Sequence, residues 1–260
     1  VATNDFGEDT ETKTNYITVN ANPTVSIATP ETYCAGETAQ INATVSGATS
    51  YSWSGPNGYT ASTQNVSIAN ATANNSGTYT ITVTSATSCV ATASVSLTVN
   101  TNPTLNVSNG GPYCEGATIA LNANGNGGTA YSWSGSNGFT SNIQNPTIAN
   151  ADGDNAGTYI VTLTNTTTGC SVSAGTVVAV NALPTLNASN NGPYCEGSTI
   201  TLSANGTVGT AYAWSGPNGY TANVANPTIA NSTTANAGTY NVTLTNPTTG
   251  CSVEASTIVN

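Results

Sequence analysis

Along most of the chain, apolar and polar residues alternate one by one. Thr118-Ile119-Ala120-Leu121-Asn122-Ala123 and Thr158-Tyr159-Ile160-Val161-Thr162-Leu163 each gather apolar side chains on one face and leave the other largely to Thr or Asn. A strict period of two marks strands that are buried on one side of a sheet. No stretch keeps a helical period, so the chain is predicted to be all-β. Pro56-Asn57-Gly58-Tyr59, Ser136-Asn137-Gly138-Phe139 and Pro217-Asn218-Gly219-Tyr220 set Asn-Gly between strand-like runs. Asn-Gly accepts the positive φ of a tight turn, so a hairpin is predicted at each.

The strand pattern recurs as a whole. Trp53, Trp133 and Trp214 lie 80 and 81 residues apart, and other residues follow in register: Pro23, Pro103 and Pro184 near the start of each unit, Tyr79, Tyr159 and Tyr240 near its end. The cysteines repeat as Cys34/Cys89, Cys114/Cys170 and Cys195/Cys251. Such a period is too long for a solenoid turn and too short for a large enzyme domain, but it suits a seven-stranded sandwich. The predicted organisation is therefore three tandem antiparallel sandwiches, at 21–101, 102–182 and 183–260, after a short segment at 1–20.

Composition narrows the function. Charged residues make up 5% of the chain, against roughly 25% in ordinary soluble proteins. Eleven acidic residues face the single base Lys13, giving a net charge of -10. Such a surface repels nucleic acid and anionic membranes, and no apolar run is long enough to span a bilayer. The chain has no Met and opens on Val-Ala-Thr-Asn-Asp-Phe-Gly, which reads as a window on a longer polypeptide, with any export signal outside it. With no His, no Arg and one Lys, the groups that carry acid–base and nucleophilic catalysis are nearly missing, so no enzyme and no cofactor are expected.

Several residues invite a chemical role. Glu37, Glu115 and Glu196 fall once per repeat, which fits a structural motif better than a glycosidase pair. Asp152-Gly153-Asp154 would offer oxygens to calcium, but the other repeats have Thr72-Ala73-Asn74 and Thr233-Thr234-Ala235 there, so a surface turn is favoured and no metal is expected. The three tryptophans would stack on sugars or pack in the core, and the core accounts for them better. Tyr59, Phe139 and Tyr220 beside the Asn-Gly turns are read as packing residues, with ligand contact as the other reading. Asn-x-Ser/Thr triplets such as Asn42-Ala43-Thr44 arise readily in so Asn- and Thr-rich a chain.

Each repeat resembles an immunoglobulin-like domain over nearly its whole length. Gly116-x-x-Ile119-x-Leu121-x-Ala123 resembles the second strand (B), Trp133 the core tryptophan of strand C, and Asn155-Ala156-Gly157-Thr158-Tyr159-x-Val161 the tyrosine corner entering strand F, with Asn in place of the usual Asp. The positions that hold the inter-sheet cysteines of antibody domains carry Ala43, Ala123 and Ala204 on strand B and Ile81, Val161 and Val242 on strand F. The wording of the repeat, with Tyr-Cys-x-Gly, Tyr-x-Trp-Ser-Gly and Gly-Thr-Tyr, is similar to modules of giant surface adhesins and gliding-motility-associated proteins of Bacteroidota-type bacteria. Asn4-Asp5-Phe6-Gly7 with Tyr16-Ile17-Thr18-Val19 resembles the last hairpin of a polycystic-kidney-disease-type (PKD) sandwich. The resemblance implies export and display at a bacterial cell surface.

Two cysteines in each small sandwich point to disulfides in an oxidising extracellular setting. In the immunoglobulin arrangement the first cysteine of a repeat and the second sit at opposite poles, roughly 25 Å apart at ~3.3 Å per strand residue. A disulfide tolerates Cα separations of about 7 Å or less. In a head-to-tail array, the lower pole of one repeat meets the upper pole of the next. The favoured pairs are therefore Cys34–Cys170 and Cys114–Cys251, with Cys89 and Cys195 awaiting partners in flanking domains. The in-repeat pairs Cys34–Cys89, Cys114–Cys170 and Cys195–Cys251 remain the alternative. On the favoured pairing Tyr33, Tyr113 and Tyr194 pack at the joints. The expected function is a stiff, load-bearing stalk or filament-forming segment of an extracellular adhesin, its partners being neighbouring repeats and, in fibres, other copies. A multivalent carbohydrate-binding array for surface glycans is the alternative; ice binding is a distant third.

Overall fold

A computed structural model describes residues 2–14 and 18–260, all in strands, short 3-10 turns and irregular segments. The chain divides into two compact units: Val1–Asn102 with the turn Asn165–Cys170, and Pro103–Thr164 with Ser171–Asn260. The first unit holds one hydrophobic core and the second holds two, so that each repeat closes its own.

The second repeat shows how the alternation becomes a sandwich. Thr104–Asn109, Ile119–Asn126 and Thr147–Ile148 form one antiparallel sheet. Thr140–Ser141, Ala130–Ser134, Gly157–Thr164 and Ser171–Val178 form the other, with Trp133 paired to Val161. Along Gly157–Thr164, Tyr159, Val161 and Leu163 are fully buried while the residues between them turn outward. Tyr159 and Val161 share one core with Trp133 of their own sheet and with Ile119 and Leu121 of the facing sheet, and this apolar burial drives folding of each repeat. The third repeat builds the same two sheets from Thr185–Asn190, Ile200–Thr207 and Thr228–Ile229, and from Tyr220–Ala222, Ala211–Gly216, Gly238–Thr245 and Ser252–Val259. In the first repeat the strand corresponding to Ile119–Asn126 is broken at Asn42 into Ala39–Ile41 and Ala43–Ser46. Its pieces pair with Val66–Ile68 and Thr24–Ile27 respectively.

Each Trp strand ends in the predicted hairpin, with a loop of five residues in the first two repeats and three in the third. Ser50–Ser54 pairs back with Thr60–Ala61 around a 3-10 turn at Pro56–Gly58. Asn57 and Gly58 take φ of +54° and +75°, the left-handed region that Asn and Gly enter at least cost. The glycine just before this turn is needed for a different reason. A Cβ on Gly55 would come within 2.6 Å of the buried Tyr79 ring.

At the N-terminus Ala2–Asn4 pairs with Gly7–Asp9, so Asn4-Asp5-Phe6-Gly7 does form a hairpin. Of the second stretch assigned to the PKD-like hairpin, Thr18 and Val19 are irregular, while Tyr16 and Ile17 lie outside the described residues.

Candidate functional site

The residues with distinctive chemistry collect at two places in each repeat: a Tyr-Cys segment after the first strand, and a turn that ends in Cys between the last two strands. Tyr113–Cys114 forms a two-residue parallel ladder with Val180–Asn181, as Tyr33–Cys34 does with Val99–Asn100. The Tyr113 N–H donates to the Ala179 carbonyl at 2.9 Å and the Glu115 N–H to the Asn181 carbonyl at 2.9 Å. In the first repeat the matching bonds run from Tyr33 to Thr98 at 3.3 Å and from Ala35 to Asn100 at 2.8 Å. The Tyr113 hydroxyl locks the segment onto its own sheet, donating to the Ala120 carbonyl and accepting from the Ala120 N–H, both at 3.1 Å. Tyr33 and Tyr194 make the same pair of bonds to Gln40 and Thr201.

Two disulfides tie these segments to the turns of other repeats. Cys34 is bonded to Cys170 and Cys114 to Cys251, each with a Cα separation of 5.6 Å. The in-repeat pairs Cys34–Cys89, Cys114–Cys170 and Cys195–Cys251 do not form. Cys170 and Cys251 are buried, and the Cys251 Sγ lies 4.0 Å from the Asn181 carbonyl oxygen. Cys89 and Cys195 are free thiols, the first half-buried and the second exposed. Cys89 has surroundings like those of Cys251, with its Sγ 3.9 Å from the carbonyl oxygen of Asn20.

The other candidates serve the scaffold. Glu37 accepts a hydrogen bond from the Cys34 N–H at 2.8 Å, and Glu115 lies 3.5 Å from the Leu183 N–H. Asp152 caps a 3-10 turn by accepting from the Asp154 and Asn155 N–H groups at 3.1 and 3.2 Å. Among the described residues no group of three His, Cys, Asp or Glu could hold a metal ion. The Trp53, Trp133 and Trp214 rings are buried, and each indole N–H donates to a loop carbonyl, of Thr63, Gln144 and Val224 respectively. Tyr59, Phe139 and Tyr220 are half-buried and stand edge-on to Tyr79, Tyr159 and Tyr240, at centroid distances of 5.3, 5.5 and 5.5 Å. Burial raises the pKa of Tyr59 and Tyr220.

Sequence reasoning missed a set of amide side chains that stand in for missing strand partners. In the second repeat, Gln144 Nε2 donates to the Ala123 carbonyl at 2.8 Å, and Asn145 Oδ1 accepts from the Ala123 N–H at 2.9 Å. Gln64 and Asn65 do the same for Ala43 at 2.7 and 2.9 Å. The recurrence of Gln-Asn at 64–65 and 144–145 was the available signal.

No family model matches the chain, and no curated protein sequence does. Among solved structures it is similar to the I-band fragment I67–I69 from titin, with a TM-score of 0.50 and 14% identity over 93% of this chain and 99% of that one. It is also similar to the N-terminal eight Ig domains of Down Syndrome Cell Adhesion Molecule, with a TM-score of 0.45 and 18% identity over 92% of this chain and 42% of that one. The titin likeness establishes the fold: tandem immunoglobulin-like sandwiches.

Proposed function

We propose that this chain is a load-bearing segment of an extracellular adhesin displayed at a bacterial cell surface, a stalk or filament element whose immediate partners are further repeats. The observation that carries this reading is the interlacing of the two disulfides. Cys114 lies inside the loop closed by Cys34–Cys170, and Cys170 lies inside the loop closed by Cys114–Cys251. Between the two bonds run three stretches of chain, from Cys34 to Cys114, from Cys114 to Cys170 and from Cys170 to Cys251. Force applied to the ends is shared by all three, and the shortest limits the extension. Two such bonds persist outside the cell, where thiols are not held reduced.

The carbohydrate-array reading is the weaker one, because Tyr59, Phe139 and Tyr220 are engaged with the core tyrosines. Association into fibres fits the same surface, since a chain with 5% charged residues opposes lateral contact with little like-charge repulsion.

Single-molecule pulling between residues 1 and 260 tests the reading. At up to ~3.6 Å per residue, the reduced chain extends to about 930 Å. With both bonds intact, the path is the stretch before Cys34, the stretch from Cys114 to Cys170 and the stretch after Cys251, in all about 350 Å. Equal final extensions with and without reductant would remove the basis for a load-bearing role.

A further inference from the structure

The three Asn-Gly hairpin loops share one backbone but not one set of restraints. Asn57, Asn137 and Asn218 are all exposed and take φ of +54°, +54° and +55°. In the first and third repeats the side-chain amide is tied down: Asn57 Nδ2 donates to the Asn74 carbonyl and Asn218 Nδ2 to the Ala235 carbonyl, both at 2.7 Å. These bonds join the hairpin loop to the 3-10 turn that precedes the tyrosine strand. The matching carbonyl in the second repeat belongs to Asp154, and the Asn137 amide makes no hydrogen bond among the described residues. The residue before it differs as well. Pro56 and Pro217 open the other two loops, whereas Ser136 stands here, and serine leaves free the φ that a proline ring fixes.

Every other Asn-Gly asparagine of the chain is held. Asn124, Asn126 and Asn205 lie within strands, paired with Asn106, Thr104 and Asn187. Asn109 donates from Nδ2 to Thr176 Oγ1 at 2.7 Å and to the Val177 carbonyl at 2.9 Å, and Asn191 Oδ1 accepts from the Tyr194 hydroxyl. Asn137 alone among them stands outside a strand with its side chain unbonded.

From this we infer that Asn137 is a site of self-modification, where the folded chain converts a side-chain amide to a carboxylate without an enzyme. The Gly138 nitrogen attacks Asn137 Cγ, and the new C–N bond closes a five-membered succinimide ring. The bond from Cγ to Nδ2 breaks, and Nδ2 leaves as ammonia with the proton of the Gly138 N–H. Water then opens the ring at one of its two carbonyls. One opening gives Asp; the other breaks the main-chain bond and gives isoaspartate, with an extra CH2 in the backbone. No electrons are exchanged, and water is the sole co-reactant. Asparagine is among the heat-labile side chains, and Gly138 sets no side chain against the attack. The attack does require the Asn137 side chain and the next peptide to rotate toward each other. An amide hydrogen bond and a preceding proline both oppose that rotation, and Asn137 has neither. The product places a new negative charge beside the Gly153–Asn155 turn, which Asp152 caps and which carries Asp154.

The test holds the whole, unreduced chain in warm, mildly alkaline buffer and follows its peptic peptides by mass spectrometry, with isoaspartate counted by enzymatic methylation. Asn137 is expected to convert about ten-fold faster than Asn57 or Asn218. Ser136→Pro is expected to slow Asn137 about three-fold and to leave the other two sites unchanged. In urea with reductant, where every restraint is gone, the three sites should convert at similar rates. Equal rates in the folded chain, or no slowing in Ser136→Pro, would overturn the inference. So would faster conversion at Asn109, Asn126 or Asn191. A preference for Asn137 that persists in urea would overturn it too, because it would then come from the neighbouring residues and not from the fold.

Discussion

Three tyrosines anchor the three cores by the same bond. The Tyr79, Tyr159 and Tyr240 hydroxyls donate to the Asn75, Asn155 and Asn236 carbonyls, each at 2.9 Å. The Asn side chains in turn accept from the N–H groups of Thr72, Asp152 and Thr233 at 2.8, 3.0 and 2.9 Å. An amide oxygen thus does what the more usual carboxylate would do, without adding charge. Tyr159→Phe removes the bond and leaves a carbonyl short of a donor, so urea unfolding should show a loss of about 1–2 kcal/mol. Gly55→Ala drives a Cβ into the Tyr79 ring, and should cost about 1–3 kcal/mol as an overpacked core. Burial raises the pKa of Tyr59, Tyr79, Tyr159, Tyr220 and Tyr240; the neighbouring phenols and Asp152 raise some of them further, and the bond to Asn236 opposes the rise at Tyr240. The unfolded chain ionises first, near pH ~10. This stabilisation is therefore fully present below about pH 10 and is lost as pH rises through the folded values. Denaturant midpoints measured on both sides of that pH check the direction.

The strands were legible because one face of each is apolar. Gly157–Thr164 and Ile119–Asn126 carry the alternation that their burial repeats, and Trp133 sits opposite Val161 as a core residue should. What stayed hidden was how short the strands beside them are. Thr147–Ile148 covers only Ile119 and Ala120, and beyond it Gln144 and Asn145 take over the bonding of Ala123. A side chain replacing a backbone ladder leaves no periodic trace, so the pattern rules do not report it. Gln144→Leu should cost about 1–3 kcal/mol by leaving the Ala123 carbonyl unpaired, measurable by thermal or urea unfolding. The Asp152 turn was legible by comparing repeats, where Thr72 and Thr233 occupy the same place. Its carboxylate is engaged by two backbone N–H groups, so millimolar calcium should leave the melting temperature unchanged. A rise of several degrees would instead mark Asp152 and Asp154 as metal ligands. Asp152→Ala, by removing the cap, should cost about 0.5–2 kcal/mol.

For the whole molecule, the covalent connections and the hydrophobic cores are separate systems. Every core closes within one repeat, whereas each disulfide leaves its repeat. Reduction should therefore leave the three tryptophans buried, with fluorescence unchanged, while abolishing the cross-connection. The interlacing also gives redundancy, because one backbone cut anywhere between Cys34 and Cys251 leaves two of three stretches intact. A singly nicked protein should run as one piece without reductant and as two pieces with it. In the sequence this pairing is favoured over the in-repeat one through the immunoglobulin resemblance, in which strands of known rise put the two cysteines of one repeat too far apart. The most direct measurement is disulfide mapping of the native, unreduced protein by mass spectrometry of peptic peptides. The account predicts linked peptides containing Cys34 with Cys170 and Cys114 with Cys251. A Cys34–Cys89 or Cys114–Cys170 peptide would contradict it.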